Sequence, residues 1–315
     1  MPLENDLDKI LIIGSGPTLV GSVAEMDLLA TDAINALVEE DIHVVLVNPN
    51  PATISTDKRP GVTVYLEPMS LDFLKRIIRM EEPNAIMTAY GSTTALKVAH
   101  ELSQDGILQQ MGIKLLTLNK RTLMMDDQQK RAAFLKNIGI DVNQYWQLSE
   151  DIDENLIKKL KENVSFPVLV TKHQQYLHNL HLNFNNFDDL ITYFKKESQS
   201  ETFSWRHYSL TEDLSSWEEV IVNIIRDSAG NVAFVNFSDS IEPVAINSGD
   251  SVTVMPSLTL NNDQVQQLRA IAKKIADNLK VVGILSIHFA INHHGTQIDT
   301  KVLAINSRIT RSAVW

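Results

Sequence analysis

Ile10-Leu11-Ile12-Ile13, a run without a polar side chain, breaks directly into Gly14-Ser15-Gly16-Pro17. An uninterrupted apolar run has no face to give to water, so it fits a strand covered on both sides, as in the middle of a parallel sheet. The pattern then repeats. Ala33, Ile34, Ala36 and Leu37 form a helical stripe, and Val44 to Val47 reads as a second buried strand. Val62 to Leu66 reads as a third, and Ser70 stands where it would cap a helix whose apolar face is Leu71, Leu74, Ile77 and Ile78. Ala85 to Thr88, Thr94 to Leu102 and Lys114 to Leu118 continue as strand, helix and strand. Strands separated by helices require right-handed crossovers and an open parallel sheet, which makes the first third an α/β domain.

Near Lys120 the rhythm changes. One helix is expected from Leu123 to Asn137, ending at Gly139 in a left-handed cap. A short strand, a helix around Asn155 to Glu162, the strand Pro167 to Thr171, a polar stretch from Lys172 to Asn186 and a helix near Asp188 to Lys196 follow. Gln199 to Thr202 is the expected mobile loop. The last third carries antiparallel signals: Val220 to Ile225 and Val232 to Phe237 flank the turn Asp227-Ser228-Ala229-Gly230. Val265, Leu268, Ile271, Ala272, Ile275 and Leu279 make a long amphipathic helix. A second hairpin is expected from Gly283 to Ile291 and Gln297 to Ile305, with Gly295 in its turn.

Composition excludes several functions. A net charge of -11 opposes binding to a phosphate backbone, which rests on Lys and Arg. With no cysteine, disulfides, thiolate zinc sites and thiol catalysis are ruled out. Met1 to Asp8 is acidic and polar rather than a signal peptide, and no apolar run reaches membrane-spanning length, so the expected location is the cytoplasm. The glycine loop sits where dinucleotide-binding folds place theirs, but Pro17 and the wide spacing to Gly21 spoil the nicotinamide fingerprint. The second strand ends not in an acidic residue but in Asn48-Pro49-Asn50-Pro51. A tight strand-to-helix turn is the reading adopted.

A family resemblance rests on more distinctive motifs. Ile12-Ile13-Gly14-Ser15-Gly16-Pro17, Glu25-Met26-Asp27, Val47 to Thr53, Thr56-Asp57, Tyr65-Leu66-Glu67-Pro68 and Thr94-Ala95-Leu96 fall at one register. Trp217, Glu219, Arg226-Asp227, Ser248 to Val254 and Asn306-Ser307-Arg308-Ile309-Thr310-Arg311-Ser312 continue it. In these motifs the chain resembles the N-terminal, carboxyphosphate half of carbamoyl-phosphate synthetase large chains. The resemblance implies a biotin-carboxylase-like pre-ATP-grasp domain over 1–119, then an α+β ATP-grasp module with a small subdomain over 120–204 and a large one over 205–315. In that family this half spends ATP to activate bicarbonate. No counterpart of the family's oligomerisation region, second synthetic half or regulatory domain is found, so carbamate phosphorylation is not expected of this polypeptide alone.

Such chemistry needs cations and backbone amides for the triphosphate and carboxylates for Mg²⁺. The resemblance places Thr171 and Gln128 where the family has phosphate-binding arginines, and the segment Thr171 to His181 contains none of the glycines of the family's phosphate loop. Lys172 and Arg131 are candidate replacements. The family's glutamine, glutamate and asparagine metal ligands correspond to His288, Ala304 and Asn306, which leaves a divalent ion without a carboxylate. On the nucleoside side, Glu212, Leu214 and Glu219 take the adenine- and ribose-contacting positions, with a solvated edge-strand carboxylate as the plain alternative for Glu219. Asn247 replaces a histidine, and Arg308 is the family-matched catalytic candidate. His173, His178, His181 and the pair His293-His294 suggest a Zn²⁺ or Ni²⁺ site, but solvated loop histidines are the simpler reading.

The expected function is therefore that of a degenerate relative binding ATP or ADP weakly, with Mg²⁺ poorly supported and a protein partner or homo-oligomer as its setting. The alternative is an active ATP-dependent ligase with a rearranged site.

Overall fold

The computed structural model describes residues 7–16, 24–88, 93–116, 120–148, 161–162, 164–172, 180–199, 204, 207–244, 251–308 and 310. The expected open sheet is present: β1 (Lys9–Ile13), β2 (His43–Val47), β3 (Val62–Tyr65), β4 (Ala85–Met87) and β5 (Lys114–Leu116) lie parallel in the order β3-β2-β1-β4-β5. The connecting helices are α1 (Ala24–Glu39), α2 (Leu71–Glu81), α3 (Thr93–Asp105) and the short α4 (Ile107–Met111). Ile10 and Ile12 face one core and Leu11 and Ile13 the other, which explains the unbroken apolar run. Ser70 occupies the cap position of α2, but only its backbone serves the helix; its side chain makes no cap bond.

The glycine loop behaves as a turn in its described part. A Cβ on Gly14 would stand 3.0 Å from the Asn48 side chain. Asn48 is buried, donates to Ser15 Oγ at 3.4 Å and accepts from the Asn50 amide at 3.1 Å. Gly14 is thus required by the close approach of β1 to the end of β2.

The helix expected from Leu123 to Asn137 is divided. It forms α5 (Lys120–Leu123), a 3₁₀ turn (Met124–Asp126) and α6 (Gln128–Asn137). Asp127 makes the break, because its carboxylate accepts from the Gln129 and Lys130 amides at 3.0 and 3.1 Å and so starts a new helix. Of the helix expected around Asn155, only 161–162 lie among the described residues. Beyond Gln199 the expected mobile loop is likewise outside them.

A second, antiparallel sheet follows in the order β6-β9-β7-β8, built from β6 (Tyr145–Gln147), β7 (Val168–Lys172), β8 (Leu180–Phe184) and β9 (Tyr208–Glu212). Helix α7 (Phe187–Glu197), capped by Asn186, packs Leu190 and Phe194 against Val168, Val170, Tyr208 and Leu210. Strand β8 runs through the stretch read as polar. It is an edge strand, so His181 and Asn183 alternate with the partly buried Leu182 and Phe184.

The third sheet is also antiparallel, in the order β12-β11-β10-β13-β14: β10 (Glu218–Arg226), β11 (Val232–Ser240), β12 (Thr253–Val254), β13 (Gly283–His294) and β14 (Gln297–Asn306). Both expected hairpins form, with Gly230 and Gly295 at φ 92 and 63° in their turns. Helix α8 (Asn262–Leu279) begins in a capping box between Asn261 and Gln264. It covers one face, where Leu268, Ala272 and Ile275 pack on Val220, Val222, Leu285, Ile287 and Phe289. The opposite face mixes polar residues with apolar ones such as Ile221 and Ala290. No helix among the described residues is long and apolar enough to cross a membrane.

Candidate functional site

Strand alternation fixes what the uncovered face of the third sheet presents. Glu219, Ile221 and Asn223 of β10 alternate with residues packed under α8. Ile221 pairs with His288 and Asn223 with Ser286, while His288 pairs with Ala304 and Ser286 with Asn306. On the other flank Ser238 and Asn236 of β11 join the same face. Asn223 donates to Asn236 at 2.9 Å, Ser238 donates to the same oxygen at 3.2 Å, and Thr310 donates to Ser286 at 3.2 Å. The result is a polar strip across four strands.

All three positions expected from the resemblance to be metal ligands lie on this strip: His288 directly opposite Ala304, with Asn306 two residues farther along β14. Glu219 is buried on a central strand, not on a solvated edge, which removes that alternative. Its carboxylate accepts from His288 Nδ1 at 2.7 Å. An ionised carboxylate only accepts, so Nδ1 is the donor of that bond. The ring's Nε2 is buried and has no hydrogen-bond partner among the described residues. The donor set for a divalent ion is therefore one imidazole nitrogen and one amide beside an alanine methyl, with the adjacent carboxylate already committed. Mg²⁺ demands oxygen ligands and anionic charge, and these residues do not fit it. Among the described residues no cluster of three His, Cys, Asp or Glu side chains is arranged to hold a metal.

Glu212 closes the second sheet at the end of β9, its amide donating to the Gln144 carbonyl at 3.1 Å. Its carboxylate is paired with Lys301 of β14, and both side chains are 22% exposed. The same ammonium lies 5.5 Å above the Trp217 ring. Leu214 is buried beside Val244, Ala290, Trp217 and Leu303, and its carbonyl accepts from the Trp217 amide at 2.8 Å. This Lys301-Glu212-Trp217 group ties the second sheet to the third. Lys301 was not singled out by its sequence context, since its partner lies 89 residues away.

Most of the positions expected on the phosphate side also have protein partners. Thr171 Oγ1 and His181 Nδ1 are 3.0 Å apart across β7 and β8. Lys172 donates to Glu197 at 2.8 Å and lies 5.4 Å over the Tyr208 ring. Tyr208 OH donates to the same Glu197 oxygen at 2.7 Å. The Lys172 hydrogen bond, reinforced by Tyr208, holds the Glu197 carboxyl below its ordinary range. Gln128 opens α6 and lines a cavity of about 20 Å³ with Arg131, Val142 and Leu303; Arg131 donates to the Met125 carbonyl at 2.7 Å. Such a space holds nothing larger than water. Arg308 follows β14, half-buried. Asn247, His173 and His178 lie outside the described residues. The structure does not join the remaining histidines: His181 sits on β8, while His293 contacts Glu218 and Gln264, and His294 contacts Asp299.

An open parallel sheet followed by two antiparallel α+β sheets is the pre-ATP-grasp and ATP-grasp architecture. Residues 6–126 match the family model for the carbamoyl phosphate synthase preATP-grasp domain, and 127–314 that for the ATP binding domain of the carbamoyl-phosphate synthase L chain. The chain belongs to the carbamoyl-phosphate synthase large-chain family. Carbamoyl phosphate synthase large chains from two Clostridium perfringens strains, SM101 and 13, are each 34% identical to it over 314 residues. Those matches take in 99% of this chain and 29% of each relative, so the chain spans less than a third of their length. Among solved structures, a Campylobacter jejuni biotin carboxylase in a β,γ-ATP complex is similar at TM-score 0.70 and 17% identity, over 97% of this chain and 66% of that one. An ADP complex of N5-carboxyaminoimidazole ribonucleotide synthetase gives TM-score 0.69 and 17% identity, over 98% and 73%. At those identities the likeness is one of fold.

Proposed function

We propose that this chain is a catalytically degenerate member of its family, binding an adenine nucleotide weakly and serving a structural or regulatory role beside a protein partner or a second copy. The observation that carries this reading is the contact of Glu219 with His288 opposite Ala304. At the positions that correspond to the family's ribose and metal contacts, one carboxylate is spent on an imidazole and another is an alanine. Glu212, at the adenine position, is spent on Lys301. The reading divides the chain at about 119 and 204 and carries a cytoplasmic setting with it.

One observation favours the alternative, an ATP-dependent ligase with a rearranged site. A half-buried imidazole with Nδ1 held by a carboxylate and Nε2 without a partner among the described residues has the placement of a general base. A thermal-shift series with ADP, ATP and no nucleotide, each with and without Mg²⁺, separates the two. The degenerate reading predicts a small shift at millimolar nucleotide that Mg²⁺ leaves unchanged. A large shift that appears only with Mg²⁺ sinks it in favour of the ligase.

A further inference from the structure

At the β11 edge of the third sheet, a groove of about 600 Å³ opens between β11, the segment that follows β12 and the N-terminal half of α8. Its floor is apolar. Phe234 and Phe237 stack with centroids 6.0 Å apart and planes 15° from parallel, and Val235, Met255 and Val265 line the walls. Arg269 projects from α8 over both rings, its guanidinium carbon 5.2 Å from the Phe234 centroid and 5.6 Å from that of Phe237. Among the described residues no carboxylate pairs with it. The rings attract the guanidinium's charge, yet they take none of its five N–H donors. At the other wall, Ser257 Oγ accepts from the Leu260 amide at 3.3 Å, which leaves its hydroxyl proton available to donate.

A concave apolar pocket of this size with two convergent donors, one of them an uncompensated planar cation, is matched by a small amphipathic carboxylate. We propose that this groove binds such a molecule, its aromatic or aliphatic body on Phe234 and Phe237 and its carboxylate bidentate on Arg269, with Ser257 donating a further hydrogen bond. Charge complementarity selects the class. The Arg269 fork matches a planar carboxylate, and a neutral apolar ligand gains nothing from the cation. The site shares no residue with the Lys301-Glu212-Trp217 group and stands independently of the proposed loss of catalysis.

The test uses the full chain and 8-anilinonaphthalene-1-sulfonate as a fluorescent anionic probe, displaced by 4-phenylbutyrate or by the shape-matched neutral 4-phenyl-1-butanol. The acid is expected to displace the probe about tenfold more effectively than the alcohol. Arg269→Gln should erase that difference while the alcohol's effect stays within about twofold, and Ser257→Ala should weaken the acid by a smaller factor. Because Arg269 is exposed, Arg269→Gln leaves the core intact; an unchanged melting curve verifies it. Equal displacement by acid and alcohol overturns the proposal. So does acid binding that is insensitive to Arg269→Gln, probe displacement by ATP, or the absence of saturable binding.

Discussion

Replacing Lys301 by Met removes the ammonium that Glu212 now holds and keeps most of the side-chain volume. Two unit charges about 4 Å apart attract by roughly 4 kcal/mol at an effective dielectric near 20. Desolvation and side-chain ordering offset much of this, and with both groups 22% exposed a net coupling of about 1–2 kcal/mol remains. The ammonium's contact with Trp217 adds roughly 0.5–1 kcal/mol. Lys301→Met alone should therefore destabilise the chain by about 2–3 kcal/mol, since Glu212 is left partly buried and unpaired. The double variant with Glu212→Leu should recover most of the loss. If Glu212 belongs to the adenine subsite, its release also raises ADP affinity by roughly five- to thirtyfold, the factor that 1–2 kcal/mol represents. Urea unfolding of the four proteins of the cycle gives the coupling, and calorimetric titration gives the affinity. A coupling below about 0.3 kcal/mol together with unchanged or weaker ADP binding would refute the reasoning.

Restoring oxygen ligands should restore the response to metal: His288→Gln with Ala304→Glu is expected to give an ADP-dependent melting shift that grows with Mg²⁺, and a shift indifferent to Mg²⁺ would contradict it. Glu197 has a folded-state pKa held down by Lys172 and Tyr208, so its stabilisation is full above the ordinary Glu value of about 4.3 and is lost as pH falls through the lower folded value. Glu197→Gln should accordingly lose less stability than wild type between pH 5 and pH 3, measured as urea midpoints; an equal loss would count against the triad. Asn261→Ala breaks the capping box of α8 and should cost about 1 kcal/mol, whereas no change in urea midpoint would show that the cap is idle.

The parallel sheet was legible because its strands are covered on both faces, leaving runs such as Ile10 to Ile13 with no polar residue. The third sheet was legible from turn chemistry at Gly230 and Gly295 and from the single stripe of α8. Edge strands were harder: β8 hides in a polar stretch because one of its faces meets solvent, and β12 is only two residues long. The broken helix before Gly139 hid for another reason, since the periodicity continues through Asp127 while a local carboxylate cap interrupts the backbone. At the candidate site, alternation placed His288 and Ser286 on one face, and the family motifs pointed to Ala304 and Asn306. The pairings of Glu219 with His288 and of Glu212 with Lys301 were beyond reach. They cross 69 and 89 residues, and only the register of β10 on β13 and the meeting of two sheets bring them together.

Loss of catalysis is tested most directly by ADP release from ATP at saturating Mg²⁺, with and without bicarbonate, by the purified chain. The engaged carboxylates and Ala304 predict no bicarbonate-dependent release above the blank. Sustained, bicarbonate-stimulated turnover that disappears in His288→Ala would contradict that account and establish the rearranged ligase in its place.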